Sequence, residues 1–176
     1  KSPEFAFEKT SFDGALEKAR AENKQVLLDF YSPTWGPCVK LDQLVFQNKK
    51  YSSYLNSQFI TLKLVSSEEQ GKELRKRFNV RGNPTVMLVN SAGEEIDRII
   101  GFDNDGDAFV QTIKDYSAGK GVLFVLLKQY QNDSLDVKNN FALAKKHTNR
   151  MEYDKSVPYY RNVLMLGPND QAGFRE

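Results

Sequence analysis

One stretch of this chain is too uniformly apolar to lie on a surface. Residues 26–31 read Val-Leu-Leu-Asp-Phe-Tyr, with hardly a polar break. A strand with one wet face alternates apolar and polar side chains, and a strand covered on both faces does not. The run therefore predicts a strand with helices packed above and below. Residues 59–64 (Phe-Ile-Thr-Leu-Lys-Leu) supply the next strand, and residues 85–89 (Thr-Val-Met-Leu-Val) supply another buried one.

Helical patterns fill the gaps. Thr10-Ser11-Phe12-Asp13 has the Thr-x-x-Asp spacing of a helix start, and Phe12, Ala15, Leu16 and Ala19 follow on one face. Glu22-Asn23-Lys24 ends that helix. Ser32 to Pro37 is a turn-rich loop, after which a helical pattern resumes at Cys38 with Leu41, Leu44 and Val45 facing in. A second helix fits residues 51–55. Residues 68–78 form a charged surface helix with Leu74 and Phe78 inward. Its run from Lys72 to Arg77 mixes signs and reads as a solvated face. Asn90 to Gly93 turns the chain into residues 94–100, giving a hairpin, and residues 108–116 form a closing helix. The order αβαβαββα predicts an α/β fold with a mixed sheet and helices on both faces.

Composition narrows the chemistry. The chain has 176 residues, which suits about one domain with room for a small second element. The net charge of +2 offers no polybasic footprint for nucleic acid or anionic membrane. The longest purely apolar run, residues 122–127, is far short of a membrane span. One cysteine, Cys38, excludes a disulfide within the chain and a thiol-rich metal site. One histidine, His147, makes a His-based metal site or triad improbable, and in its helix it reads as packing or surface. Asp103-Asn104-Asp105-Gly106-Asp107 alternates like the start of a calcium loop but lacks the closing Glu, so it reads as a helix-capping turn. No metal and no cofactor are expected.

Ser117-Ala118-Gly119-Lys120-Gly121 is a short linker. It divides the chain into residues 1–118 and a helical segment, residues 122–176, with helices over 122–130, 135–147 and 153–166. The opening Lys1-Ser2-Pro3-Glu4 has no Met and no apolar leader core, which fits either a removed leader or a trimmed chain.

Three features in order resemble the thioredoxin superfamily across roughly residues 5–118. They are Asp29 within the 26–31 strand followed by Gly36-Pro37-Cys38 at a helix start; Val80-Arg81-Gly82-Asn83-Pro84-Thr85 before a later strand; and a terminal hairpin with Gly93 in its turn and Gly101 at its exit. The phrase Glu22-Asn23-Lys24-Gln25-Val26-Leu27 looks, more loosely, like the envelope-associated thioredoxin-like proteins of bacteria. The resemblance implies a thioredoxin fold with a C-terminal helical extension. It also implies thiol–disulfide oxidoreductase or isomerase chemistry on protein or peptide substrates bearing cysteines or disulfides. It further implies a cis Pro84 facing the active-site loop, a buried Asp29 able to move a proton, and Lys63 as its neighbour. The implied location is the periplasm or cell envelope of a bacterium, with the cytoplasm as the alternative.

The family pattern is Cys-Gly-Pro-Cys, whereas this chain reads Trp35-Gly36-Pro37-Cys38. Counted from Asp29, Trp35 falls where the attacking cysteine belongs. An alternative alignment keeps Trp35 as the family's Trp and deletes the cysteine. Either way the nucleophile is lost. A thiol at a helix N-terminus has its pKa lowered by unpaired amides, and its thiolate attacks a disulfide. A dithiol cycle needs a second sulfur, so turnover should be impaired. The expected site is Cys38, Asp29 and Trp35, with Trp35, Gly36, Pro37, Asn83 and Pro84 at the substrate and Lys63 in support. Two rival expectations remain: a non-catalytic protein- or peptide-binding module with Trp35 in a groove beside Pro84, and a lone-thiol exchange at Cys38.

The last helices resemble part of a tetratricopeptide repeat, with Leu143, Ala144, Tyr153, Ser156, Tyr160 and Pro168 at packing positions. Pro158 and His147 depart from that pattern. A single repeat buries little, so the pair either docks on the first domain or continues past Glu176. Such a tail implies protein partners.

Overall fold

The structure, a computed structural model, describes residues 5–167. Lys1 to Glu4, and the repeat-exit residues from Pro168 onward, lie outside the described residues. The chain divides into two compact units, the first ending at Ala118 and the second beginning at Gly119.

In the first unit, helix α1 (Phe12–Glu22) leads into β1 (Gln25–Tyr31). Its N-cap is Ser11, whose hydroxyl accepts from the Gly14 amide at 3.1 Å, rather than Thr10. The offset is one residue because the cap must be the last extended residue, and Ser11 has that backbone. Asn23 closes the helix at φ 51°, a left-handed cap that a short polar side chain tolerates. After β1 come α2 (Gly36–Leu41), a π-helical turn over Asp42–Phe46, α3 (Lys49–Gln58), β2 (Phe59–Val65), α4 (Glu69–Arg77), β3 (Thr85–Val89), β4 (Glu95–Ile100) and α5 (Gly106–Ser117).

The sheet order is β2-β1-β3-β4. β1 runs parallel to β2 and antiparallel to β3, and β3–β4 is the antiparallel hairpin. β1 is thus central, which is why its sequence barely alternates. Val26, Leu28 and Phe30 join α1, Leu74 of α4, Ile60, Leu62 and Leu64 in one core. Leu27 points the other way, into a core with Leu41, Val45, Phe46, Leu55, Phe109 and Ile113. Burying one such side chain fully is worth ~2 kcal/mol, so the two cores carry the unit. Leu44, expected inward, is exposed instead: the π turn widens the helix there, and Val45 and Phe46 take the buried face. A further extended segment was not foreseen. The Glu8 amide donates to the Thr61 carbonyl at 2.8 Å along the β2 edge, and Phe5 and Phe7 pack on Phe46.

Gly71 lets α4 lie close against the end of β2. A Cβ built there would sit 2.1 Å from the Val65 carbonyl oxygen, a backbone atom that has no rotamer by which to move away. The Asp103–Asp107 stretch caps α5: Asp105 accepts from the Ala108 amide at 2.9 Å. Among the described residues no group of acidic, His or Cys side chains suits a metal ion.

The second unit consists of α6 (Leu123–Asn132), α7 (Val137–Asn149) and α8 (Tyr153–Leu166). α7 begins two residues later than the apolar pattern suggests, because Asp136 caps it and Leu135 is exposed. Leu143, Ala144 and Ser156 are buried, whereas Tyr153 is exposed. His147 is buried, stacked on the Tyr159 ring at 5.6 Å with its Nδ1 2.7 Å from a Glu152 carboxylate oxygen. α8 continues through Pro158. No helix among the described residues is long and apolar enough to cross a membrane.

Gly71→Ala is expected to destabilise the first unit by about 1–3 kcal/mol, the scale of forced overpacking. Gly36→Ala, with nothing within 4 Å of the new Cβ, is expected to stay near the native value. Urea unfolding followed by circular dichroism compares the two; equal effects would contradict the packing described.

Candidate functional site

The site begins where β1 ends. Ser32 to Trp35 form a turn closed by the Trp35 amide on the Ser32 carbonyl at 3.1 Å. Trp35 is the N-cap of α2, and its carbonyl accepts from the amides of Cys38 at 3.0 Å and Val39 at 3.2 Å. Gly36 and Pro37 form the first turn, where proline's fixed φ suits a helix start and its missing N–H costs nothing. Trp35 therefore stands one helical turn before Cys38. Its side chain is 54% exposed, whereas Cys38 is 1% exposed.

The thiol of Cys38 is inside the protein. Its Sγ accepts the Ser32 amide at 3.5 Å, the one bond that favours a thiolate. Burial outweighs that bond and pushes the Cys38 thiol above its ordinary range. The nearby carboxyls of Asp29 and Asp42 push the same way, and the Lys63 ammonium only partly opposes them. The helix start was expected to lower a thiol pKa; at this position desolvation wins.

Asp29 lies in β1 opposite Lys63 of β2 and Val86 of β3. It is 1% exposed, and neither carboxyl oxygen has a hydrogen-bond partner among the described residues. Burial raises its pKa from 3.8 to about 7, with Lys63 pulling down and Asp42 pushing up. Lys63 is a neighbour of Asp29, as the resemblance implies, yet its ion pair is with Asp42, the first residue of the π turn. Its ammonium also lies over the rings of Tyr31 at 3.9 Å and Phe7 at 4.9 Å. Asp42, Tyr31 and Phe7 were missed as site residues. Only the Asp42 spacing, one turn beyond Cys38, could have pointed there.

On the loop that leads into β3 the Asn83–Pro84 peptide bond is cis. Pro84 is buried and its carbonyl accepts the Gly101 amide at 2.8 Å, which ties the loop to the hairpin exit. Asn83 is held from outside the loop. Its Oδ1 accepts from Arg75 Nη1 at 2.6 Å and from the Ser66 hydroxyl at 3.2 Å. Arg75 thus departs from the purely solvated face that its charge run suggests.

A four-stranded mixed sheet, a helix starting at Gly-Pro-Cys and a cis-proline loop define a thioredoxin fold. The Thioredoxin-like domain family model matches residues 12–117, and the chain belongs to that family. The thiol:disulfide interchange protein DsbD of Vibrio cholerae is 34% identical over 97 residues, which cover 53% of this chain and 16% of that protein. A protein disulfide-isomerase of Datisca glomerata is 33% identical over 95 residues, 52% of this chain and 18% of that one. The chain thus spans under a fifth of the length of these curated relatives. The solution structure of a candidate disulphide-isomerase from Bacteroides thetaiotaomicron is 32% identical, with a TM-score of 0.58 over 66% of this chain and 95% of that one. A thioredoxin from Thermus thermophilus, at 24% identity and a TM-score of 0.53, shares the fold.

The buried carboxyl makes stability depend on pH. Folded Asp29 holds its proton up to about 7, while the unfolded chain releases it near 3.8. Its stabilising share is full below the lower value and is lost as pH rises toward the upper one. At 1.36 kcal/mol per pH unit the whole loss is of order 4 kcal/mol. Asp29→Asn cannot ionise. In urea titrations from pH 4 to 8 it should therefore gain on the native chain up to about pH 7 and then level off. A constant difference over that range would contradict the assignment.

Proposed function

We propose that this chain is a thiol–disulfide oxidoreductase or isomerase family member that engages protein substrates but is impaired in dithiol turnover. One observation carries this: the only cysteine is buried at the resolving position, and an exposed Trp35 stands one turn earlier, where the nucleophile belongs. In a two-thiol site the outer thiolate attacks a substrate disulfide and expels one substrate thiolate. The inner thiolate then attacks the mixed disulfide, closes an internal disulfide and expels the second. Two thiols give up two electrons in that cycle, and this chain has one thiol. In this reading Cys38, Asp29 and Lys63 are the remnant of the proton-handling half, with Asp29 as the group that exchanges a proton with the Cys38 thiol. Trp35, Gly36, Pro37, Asn83 and Pro84 form the substrate side.

The exposure of Trp35 favours a second reading, a binding module without chemistry. An exposed, large rigid ring at the loop after β1, together with the cis-proline loop before the neighbouring strand β3, suits the anchoring of an extended segment. The tetratricopeptide-like reading of the second unit fits this, since Leu143, Ala144 and Ser156 are buried in its hairpin; protein partners for that unit belong to the proposal. So does the bacterial periplasm or envelope as its place, a reading supported by bacterial relatives such as the Vibrio cholerae interchange protein.

Trp35→Cys is expected to confer reduction of insulin disulfides by dithiothreitol, on the order of a hundredfold over the native chain, because an internal resolving thiol acts at high effective concentration. No gain in a folded variant would overturn the first reading. If the binding reading holds, Trp35→Ala should weaken association with an unfolded, thiol-blocked protein about tenfold or more, the scale of losing an aromatic anchor. Titration calorimetry measures this, and unchanged affinity would count against that reading.

A further inference from the structure

The Asn83–Pro84 loop is braced from α4. Arg75 Nη1 donates to Asn83 Oδ1 at 2.6 Å and to the Ser66 hydroxyl at 3.3 Å, while Ser66 itself donates to the same Asn83 oxygen at 3.2 Å. The Ser66 amide donates to the Tyr31 carbonyl at 2.9 Å, at the last residue of β1 before the Trp35 turn. One guanidinium therefore reaches a node that touches both loops of the site: the one carrying Trp35 and the one carrying Pro84. Its reach depends on Gly71, one helical turn earlier, where the missing side chain lets α4 lie against Val65 and Ser66. The amide of Asn83 has its oxygen held by two donors, one of them the charged Arg75 of α4, which fixes the side chain. Charge-assisted bonds of this length are the strong members of their class.

We propose that Arg75 is a positioning residue for protein substrates, acting through Asn83 and Ser66 to hold the Pro84 rim in register with the Trp35 turn. This rests on the reading above that the rim takes extended protein segments. A small disulfide that touches no rim should not sense Arg75, whereas a protein disulfide should.

The test uses the full chain carrying Trp35→Cys, with and without Arg75→Met, which keeps the stem and removes the donors. With insulin as substrate, Arg75→Met should raise KM by roughly tenfold, the scale of losing one hydrogen bond to a charged group, and leave kcat within about twofold. Reduction of 5,5′-dithiobis(2-nitrobenzoate) should be unchanged, and Arg75→Lys should restore part of the loss. An unchanged KM for insulin, or equal slowing of both substrates, overturns the proposal. If Trp35→Cys reduces neither substrate, the turnover reading fails by itself, and Arg75 is then judged in the native chain. Amide exchange at Gly82 and Asn83 should quicken on Arg75→Met while the β1 amides keep their protection; unchanged exchange at those two positions overturns it.

Discussion

A carboxyl group with no hydrogen-bond partner among the described residues lies in the central strand of this sheet, and the electrostatics of the site follow from it. Asp29 is covered on both sides because β1 lies between β2 and β3, with a core on each face. An ionised carboxylate there would need a cation or several donors. The register supplies Lys63 directly opposite, but Asp42 takes that ammonium as its ion-pair partner, and Tyr31 and Phe7 hold it with their rings. Asp29 therefore keeps its proton to near neutrality. Cys38, facing burial and two carboxyls, keeps its proton to higher pH than an ordinary thiol.

This arrangement suits an inner thiol that is released only when a partner sulfur arrives beside it. It does not suit a thiol that must open the reaction. The short helix that begins at Gly36-Pro37 has the Cys38 and Val39 amides bonded to the Trp35 carbonyl, and the side chain at that position, one turn before Cys38, is an indole. On the proposed function, binding and chemistry have come apart in this chain. The two loops that would grip a substrate are tied to each other through Ser66, Asn83 and Arg75, while the step that would use the grip lacks its sulfur.

The buried strands were legible because a strand covered on both faces is apolar at consecutive positions and each run is short and bounded by turn residues. The apolar run at 122–127 lies at the start of α6 instead, so the apolar pattern alone did not decide the type of element. The cysteine loop and Pro84 were legible because Gly-Pro before a cysteine and Asn-Pro before a strand constrain the backbone locally. The rest depended on geometry without a local signature. Asp42 reaches Lys63 from a helix turn widened to an i to i+5 bond, Gln47 amide to Asp42 carbonyl at 2.7 Å, and nothing in Asp-Gln-Leu-Val-Phe announces that widening. The same turn sends Leu44 outward. Arg75 is one of four basic residues in a run of six, and only the approach of α4 over Gly71 distinguishes it from its neighbours. The expected lowering of the Cys38 thiol pKa is reversed by burial, a comparison that needs the depth of the side chain.

The most direct test of the central claim is the labelling rate of Cys38 by a thiol reagent at neutral pH, in the folded chain and in denaturant. A buried, protonated thiol at a resolving position predicts slow labelling in the folded protein and rapid labelling once it is unfolded. Rapid labelling of the folded chain would mean an accessible thiolate, and would contradict the account of a site left without its nucleophile.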